Sequence, residues 1–347
     1  MKDYFSQFKA PENMKRPDGS SRFAFVTFLM MNDSYMASTL LMAYGLKKQN
    51  SQADTVCMVT EEIDEETIKP LKMIYDHVIR VKRIFVPHKE RKGREDRPLW
   101  FTRLNSLLLG PDGGYDLNYE RICILDADVY PLRHYDSLFN IGAPAGMLNE
   151  KKSNCLEWDE KGKYVYPNSI ENEGKWNWHR RYEPDAPHGS DIPKEITDRP
   201  LHDVTNLGLN GSIYVFDTSK KELENIIEDV ERPEIKKLVG DLFKWPDMQY
   251  FTIRWSGQWK SIDIKFSSFN GYPGLKYLCG CHYSGFKPWY FNKKGLKNYM
   301  EHEDFLFWYK SFLSMVEKDY PKMLDIPRIA SIRKKILRLE LNLKPSF

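Results

Sequence analysis

Strand-like and helix-like runs alternate through the first half of this chain, and the alternation predicts an α/β fold: a mostly parallel central sheet with flanking helices. Two further observations support it. The apolar run Arg121–Leu125 ends abruptly in Asp126-Ala127-Asp128, as a buried strand does where it empties into solvent. The 347 residues are 41% hydrophobic and 14% aromatic, enough for a large core and for one large domain with additions.

The elements follow in order. Arg22–Met30 reads as the first strand and Ser34–Lys48 as a helix that Asp33 or Ser34 can cap. Thr55–Thr60 is a second strand. The helix Asp64–Tyr75 follows, with the acidic cluster Glu61–Glu66 at its positively polarised start. His77–Val81 is a third strand, Trp100–Leu109 a third helix and Arg121–Leu125 the strand that carries the aspartates. From Asn149 to about Asp203 the pattern breaks. Pro, Gly and charged residues with Trp158, Trp176 and Trp178 mark an inserted loop, 149–205, whose tryptophans either stack on sugar rings of an acceptor or pin the loop to the body.

Regular structure resumes with the strand Ser212–Asp217, the helix Lys220–Val230, a helical segment from Asp247 and a strand at Leu275–His282. Asp304–Leu343 reads as a final helical region, with Arg328, Arg333, Lys334, Lys335 and Arg338 set among Ile and Leu. Such a basic amphipathic stretch either packs on the domain with a solvated basic face or makes peripheral contact with a membrane or a partner. The organisation is thus an N-terminal tail 1–21, a catalytic-sized domain 22–300 with the insertion 149–205, and a helical basic region 301–347.

The formal net charge of +3, from 52 basic and 49 acidic residues, is nearly balanced and does not argue for nucleic acid, so an anionic ligand needs a local site. Cys57, Cys123, Cys155, Cys279 and Cys281 are odd in number and lie mostly in apolar runs, as reduced core thiols do, and a cytoplasmic setting is expected. Cys279-Gly280-Cys281 lacks the second pair that a zinc site would need. Met1–Ser21 has no long apolar stretch, and no run approaches the roughly 18 apolar residues of a membrane span, so a soluble protein without a transmembrane segment is expected.

No G-x-G-x-x-G follows the first strand and no G-x-x-x-x-G-K-S/T occurs, so a nucleotide must be held by other means. In open α/β sheets ligands bind at the carboxyl ends of strands, where Asn32-Asp33 and Asp126-Ala127-Asp128 both fall. In an extended segment, residues two apart share a side, so Asp126 and Asp128 can converge on one cation. Carboxylates leaving an apolar strand are costly unless paired, and a divalent ion pairs them well. A D-x-D at a strand end is equally often a turn or a cap, so context has to decide.

Four separated segments supply it. They are Phe23-Ala24-Phe25-Val26-Thr27 with Asn32-Asp33-Ser34-Tyr35; Ile124-Leu125-Asp126-Ala127-Asp128; Leu209-Asn210-Gly211-Ser212-Ile213-Tyr214-Val215-Phe216; and His282-Tyr283-Ser284-Gly285-Phe286-Lys287-Pro288-Trp289. Together, in this order, they resemble the glycogenin-like members of glycosyltransferase family 8. The resemblance implies a GT-A fold that transfers a hexose, glucose first, from a UDP-sugar with retention, using Mn²⁺ or, as the alternative, Mg²⁺. It also implies roles for individual residues. Asp126, Asp128 and His282 resemble the metal ligands, a mixed oxygen and imidazole shell that suits Mn²⁺ better than Mg²⁺. Lys287, with Gly285 before it, resembles the diphosphate-contacting lysine, at a spacing one residue shorter than in glycogenin. Asn32 and Tyr35 resemble the uracil-contacting pair, and Ala127 lies within the same donor-binding segment.

The resemblance further implies catalytic roles. Arg103 falls where the family has a basic residue near the donor phosphates and sugar, and Asn210 resembles the asparagine that contacts the donor sugar. Asp247 matches the acidic residue near the anomeric carbon, with Met248 at the usual glutamine position and Gln249 one place later. The expected partners are the UDP-sugar and a glycan or protein acceptor, with a homodimer expected from the family. Tyr272 and Tyr277 lie near where a glycogenin-type primer glucosylates itself. A self-glucosylating primer, a UDP-sugar hydrolase and a non-catalytic sugar-nucleotide-binding protein are the alternative readings.

Overall fold

The computed structural model describes residues 5–89, 94–157, 175–269, 274–292, 296 and 303–339. Its centre is a seven-stranded sheet in the order β3-β2-β1-β4-β7-β6-β8. The strands are β1 Phe23–Leu29, β2 Asp54–Val59, β3 His77–Arg80, β4 Arg121–Leu125, β6 Ala145–Leu148, β7 Leu209–Asp217 and β8 Lys260–Ser261. β1 runs parallel to both β2 and β4, and β2 to β3, while β7 is antiparallel to β4 and β6. The mostly parallel α/β arrangement expected from the alternating pattern is therefore present. β1 is buried nearly throughout because helices cover both faces of a parallel sheet, which is why its sequence is a continuous apolar run.

This topology brings several chain segments to one sheet edge. β1 and β4 both end there. The antiparallel register sets Leu125 opposite Ile213 and Leu148 opposite Leu209, so the start of β7 and the end of β6 meet the end of β4. A second sheet, in the order β5-β10-β9, stands beside that edge: β5 is Val129–Pro131, β9 Ser268–Phe269 and β10 Gly280–His282. β10 is antiparallel to β5 with His282 opposite Val129, so the histidine is carried to the aspartates. A side chain at Gly280 would meet the Phe266 carbonyl at 2.6 Å, so only glycine lets β10 run this close.

Several local expectations are corrected. Helix α1 spans Met36–Lys48 with Tyr35 at its start and no side-chain cap. Asn32 Oδ1 instead accepts from Ser34 N at 2.9 Å, and Asp33 pairs with Arg328. Helix α2, Glu65–Lys72, does have the expected acidic start, Asp64 accepting from Thr67 N at 2.8 Å. The segment read as a helix from Trp100 is a 3-10 helix over Arg97–Leu109. The strand expected at Leu275–His282 is a 3-10 turn, Leu275–Tyr277, before β10. β7 begins at Leu209, three residues earlier than expected.

The insertion is more ordered than a loop. Its described part holds short helices at Asn177–Tyr182, Lys194–Thr197 and Arg199–His202. Trp176 and Trp178 are fully buried, and Trp178 Nε1 donates to the Leu148 carbonyl at 2.9 Å. Trp178 thereby ties the insertion to the end of β6, neither buried ring can stack on an acceptor, and Trp158 lies outside the described residues. The final region is two helices, Glu303–Ser314 and Pro327–Leu337, separated by a π turn and a 3-10 turn, because Pro321 and Pro327 interrupt it. Its last helix buries Ile329 and Ile336 against the body. Arg328 reaches Asp33 at 3.0 Å, Asp64 at 2.8 Å and Thr67 at 2.5 Å, and Arg333 pairs with Glu317. No helix among the described residues is long and apolar enough to cross a membrane. All five cysteines are free and buried.

Candidate active site

A cleft of about 580 Å³ opens at the shared sheet edge. Asp126 and Asp128 line it from the loop after β4, not as an extended pair but across a tight turn in which Val129 N donates to the Asp126 carbonyl at 3.0 Å. They still converge: ligand atoms of Asp126, Asp128 and His282 all lie within 4.8 Å of one another. Ligands about 2.1 Å from a cation are separated by about 3–4 Å, so one divalent ion fits this set. The fit is supported by His282 itself, which is buried and turns Nε2 to 3.5 Å from Asp128 Oδ1.

Lys287 closes this end. Its ammonium donates to Asp128 and to the Tyr283 carbonyl, and lies 5.6 Å from the Tyr35 ring centroid. Burial raises the Asp126 carboxyl to about 6 against the pull of Arg103, and the charge of Asp128 adds to the rise. Burial opposes ionisation of Asp128 as well, but Lys287 and His282 outweigh it and hold that carboxyl well below the ordinary range. The Tyr35 phenol is raised by burial and then by Asp128; its ring meets Trp289 at 5.4 Å and Tyr290 at 6.1 Å. Asn32, Met30, Met31 and Ala127 line the same cleft. Met31 adopts the left-handed φ of 69°, which turns the chain after β1 so that Asn32 follows into the cleft wall. Gly285 lies on an exposed turn, and Ser284 rather than Gly285 lines the cleft.

Arg103 stands beside Asp126. In a 3-10 helix residues three apart eclipse, so Arg97, Trp100 and Arg103 project as one column. The buried Arg103 donates through Nη1 to the Gly211 carbonyl at 2.6 Å and through Nη2 to Asp126 Oδ1 at 3.1 Å. Its Nε stands 3.4 Å from Asp247 Oδ2. Asp247 is 1% exposed, and neither of its oxygens has a hydrogen-bond partner. Burial raises its pKa, with Arg103 opposing. Asn210 lines the cleft with its Oδ1 engaged by Ser212 N at 2.9 Å.

Met248 and Gln249, the two residues named beside Asp247, point in different directions. Gln249 turns away: Nε2 donates to the Val204 and Asn206 carbonyls at 2.8 and 2.9 Å, and Oε1 accepts from Trp245 N at 2.8 Å. Asp247 and Met248 face the cleft, so a thioether stands where the resemblance implies glutamine. Tyr277 is 4% exposed, and Tyr272 lies outside the described residues.

Asn149 and Lys152 are among the cleft residues that escaped the sequence reading. Asn149 follows β6 and lines the cleft, its Oδ1 accepting from Cys155 Sγ at 3.5 Å. Lys152, on the next turn, places Nζ 4.7 Å from the Phe269 ring centroid and 3.5 Å from Ser284 Oγ. Lys152 is an exposed residue whose ammonium is partly desolvated, and this, then the like charge of Lys287, lowers its pKa. The signal for both was the short strand β6, four residues long and preceded by Pro144.

The fold and site define a class: an α/β protein with a carboxylate–histidine cluster, of a kind that can hold a cation, at the edge of a mostly parallel sheet. No family model matches the chain. An uncharacterised protein of Acanthamoeba polyphaga mimivirus is 25% identical over 250 residues, 71% of this chain and 72% of that protein. Glycogenin of Neurospora crassa is 27% identical over 117 residues, 33% of this chain and only 16% of the glycogenin. Among solved structures, the galactosyltransferase LgtC in complex with donor and acceptor sugar analogues aligns with a TM-score of 0.49 at 12% identity, over 82% of this chain and 94% of that one. The glycosyltransferase GlyE of Streptococcus pneumoniae aligns with a TM-score of 0.48 at 14% identity, over 92% of this chain and 64% of that one.

Proposed function

We propose that this chain is a metal-dependent, retaining glycosyltransferase of the glycogenin-like type, which moves a hexose, glucose first, from a UDP-sugar to a glycan or protein acceptor. One observation carries the reading: Asp126, Asp128, His282 and Lys287 converge in one cleft, where Arg103 links Asp126 to Asp247. The partial match to a glycogenin supports it.

Asp126, Asp128 and His282 would hold the cation, and the mixed donor set favours Mn²⁺. When bound, the ion supplies charge neutralisation at the diphosphate. Asn32 bonds the uracil and Tyr35 stacks on it, with Lys287 donating to phosphate oxygens. Asn210 and Asn149 offer amide groups to the donor hexose. As the anomeric C–O bond breaks, its electron pair passes to the diphosphate oxygen; the acceptor hydroxyl bonds to the anomeric carbon and gives its proton to that oxygen. Asp247 stabilises the positive charge developing at carbon, and its pairing with Arg103 suits this electrostatic role better than nucleophilic attack.

The test is UDP release from a panel of UDP-sugars with Mn²⁺ and candidate glycan or protein acceptors, followed by intact mass of the protein. Release from one donor, dependent on metal and acceptor, is expected. Acceptor-independent release with unchanged mass would indicate hydrolysis, and a hexose ladder on the chain would indicate self-glycosylation. Failure of every UDP-sugar across the acceptor panel would end the proposal.

A further inference from the structure

The first turn of the insertion reaches the same cleft as Lys287. Lys152 stands there on the turn Lys152–Asn154, its ammonium over Phe269, whose ring centroid is 5.8 Å from that of His282. Among the described residues no carboxylate lies within ion-pair distance of Lys152. Two of the other cations of the cleft are paired with carboxylates, and Arg94 lies over Trp245, 5.3 Å from its ring centroid. Arg103 is shared between Asp126 and Asp247, and Lys287 pairs with Asp128.

Charge balance gives this lysine a task. Five carboxylates, Glu95, Asp96, Asp126, Asp128 and Asp247, line the cleft against Arg94, Arg103 and Lys287, so without Lys152 the lining carries two excess negative charges, which a divalent ion neutralises. A sugar nucleotide brings about two negative charges, and the nucleoside diphosphate that leaves carries about three. One further cation is needed as the bond breaks. We propose that Lys152 is that cation: a second phosphate-binding lysine, so that the insertion serves the donor end of the cleft as well as anchoring itself to the body.

This rests on the diphosphate-donor reading above. Because Lys152 meets charge that develops on the leaving group, it acts more strongly on the transition state and product than on the bound donor. The test is calorimetric titration of UDP into the Mn²⁺-loaded protein and into Lys152→Met and Lys152→Arg, with UMP as the comparison ligand. Methionine keeps an unbranched stem against Phe269 and removes the charge. The expected result is about tenfold weaker UDP binding by Lys152→Met, a smaller change for UMP, recovery in Lys152→Arg, and a fall in kcat that exceeds the change in donor KM. Wild-type-like UDP affinity in Lys152→Met would overturn the assignment while leaving the donor reading intact. Weak binding that arginine fails to restore would make Lys152 a packing residue and would also overturn it. A wild-type protein that does not bind UDP would remove the donor reading and this inference together.

Discussion

Arg103 joins two carboxylates with one guanidinium, and a lysine cannot do the same. A point ammonium reaches one acid or the Gly211 carbonyl, whereas the planar fork reaches Asp126, Asp247 and the carbonyl together. Arg103→Lys is therefore expected to lower kcat/KM for the donor by about 100-fold, about 2.7 kcal/mol, with little loss of thermal stability; steady-state kinetics beside a thermal melt check it. Asp247 adds a pH signature. Its pKa lies above the ordinary carboxylate value, so its negative charge is lost on acidification earlier than that of an exposed aspartate. The acid limb of the kcat profile should sit correspondingly high. At this scale the motif residues were legible because strand ends and the His282–Lys287 spacing are local in sequence. Met248 against Gln249 was not, because only the turn of the helix Pro246–Arg254 decides which of two neighbours faces the cleft.

Among the elements, the insertion is fastened by a buried polar pair as well as by tryptophans. His179 Nε2 stands 3.1 Å from both oxygens of Asp263, its Nδ1 accepts from Trp176 N at 3.2 Å, and Asp263 also accepts from Lys265 N. Burial alone would raise the Asp263 pKa, but His179 and Lys265 hold it well below the ordinary value. A carboxyl with a depressed folded-state pKa contributes stability above its unfolded value, about 3.9, and that contribution fades as the pH falls below it. Asp263→Asn should cost about 3–5 kcal/mol at neutral pH in urea unfolding, because a buried pair is broken, and the gap from wild type should narrow below about pH 4. The sequence marked this region as irregular but did not show its anchors, since His179 and Asp263 are 84 residues apart. The 3-10 helix Arg97–Leu109 was also misread, because its apolar content is helical in character whichever hydrogen-bond period it adopts.

For the whole molecule, the cation site joins two sheets. Asp126 and Asp128 come from the loop beyond β4 of the large sheet, and His282 ends β10 of the small one. An ion held by all three binds the folded chain and not the unfolded one. Stability should thus rise with Mn²⁺, by about 2.7 kcal/mol at 100 times the dissociation constant, and return on chelation. Thermal melts of wild type and Asp128→Asn check this: the wild type should shift upward and the variant should not. A shift of equal size in Asp128→Asn would remove that residue from the site. Five of the seven strands of the large sheet were legible from alternation, while β6 and β8, four and two residues long, were not. The small sheet was not, because strands of two or three residues leave no period to read and depend on pairing between distant segments.

Arg328 bridges Asp33, in the loop that carries Asn32 and Tyr35, to Asp64 at the start of α2. The contact to Asp64 spans 264 residues. A ribosome makes that loop early and makes its fastening late, so the wall of the cleft beside Asn32 and Tyr35 stays untied through most of vectorial synthesis. The nascent chain builds its sheet before it can finish its binding surface, and the helix Pro327–Leu337 acts as the closing knot.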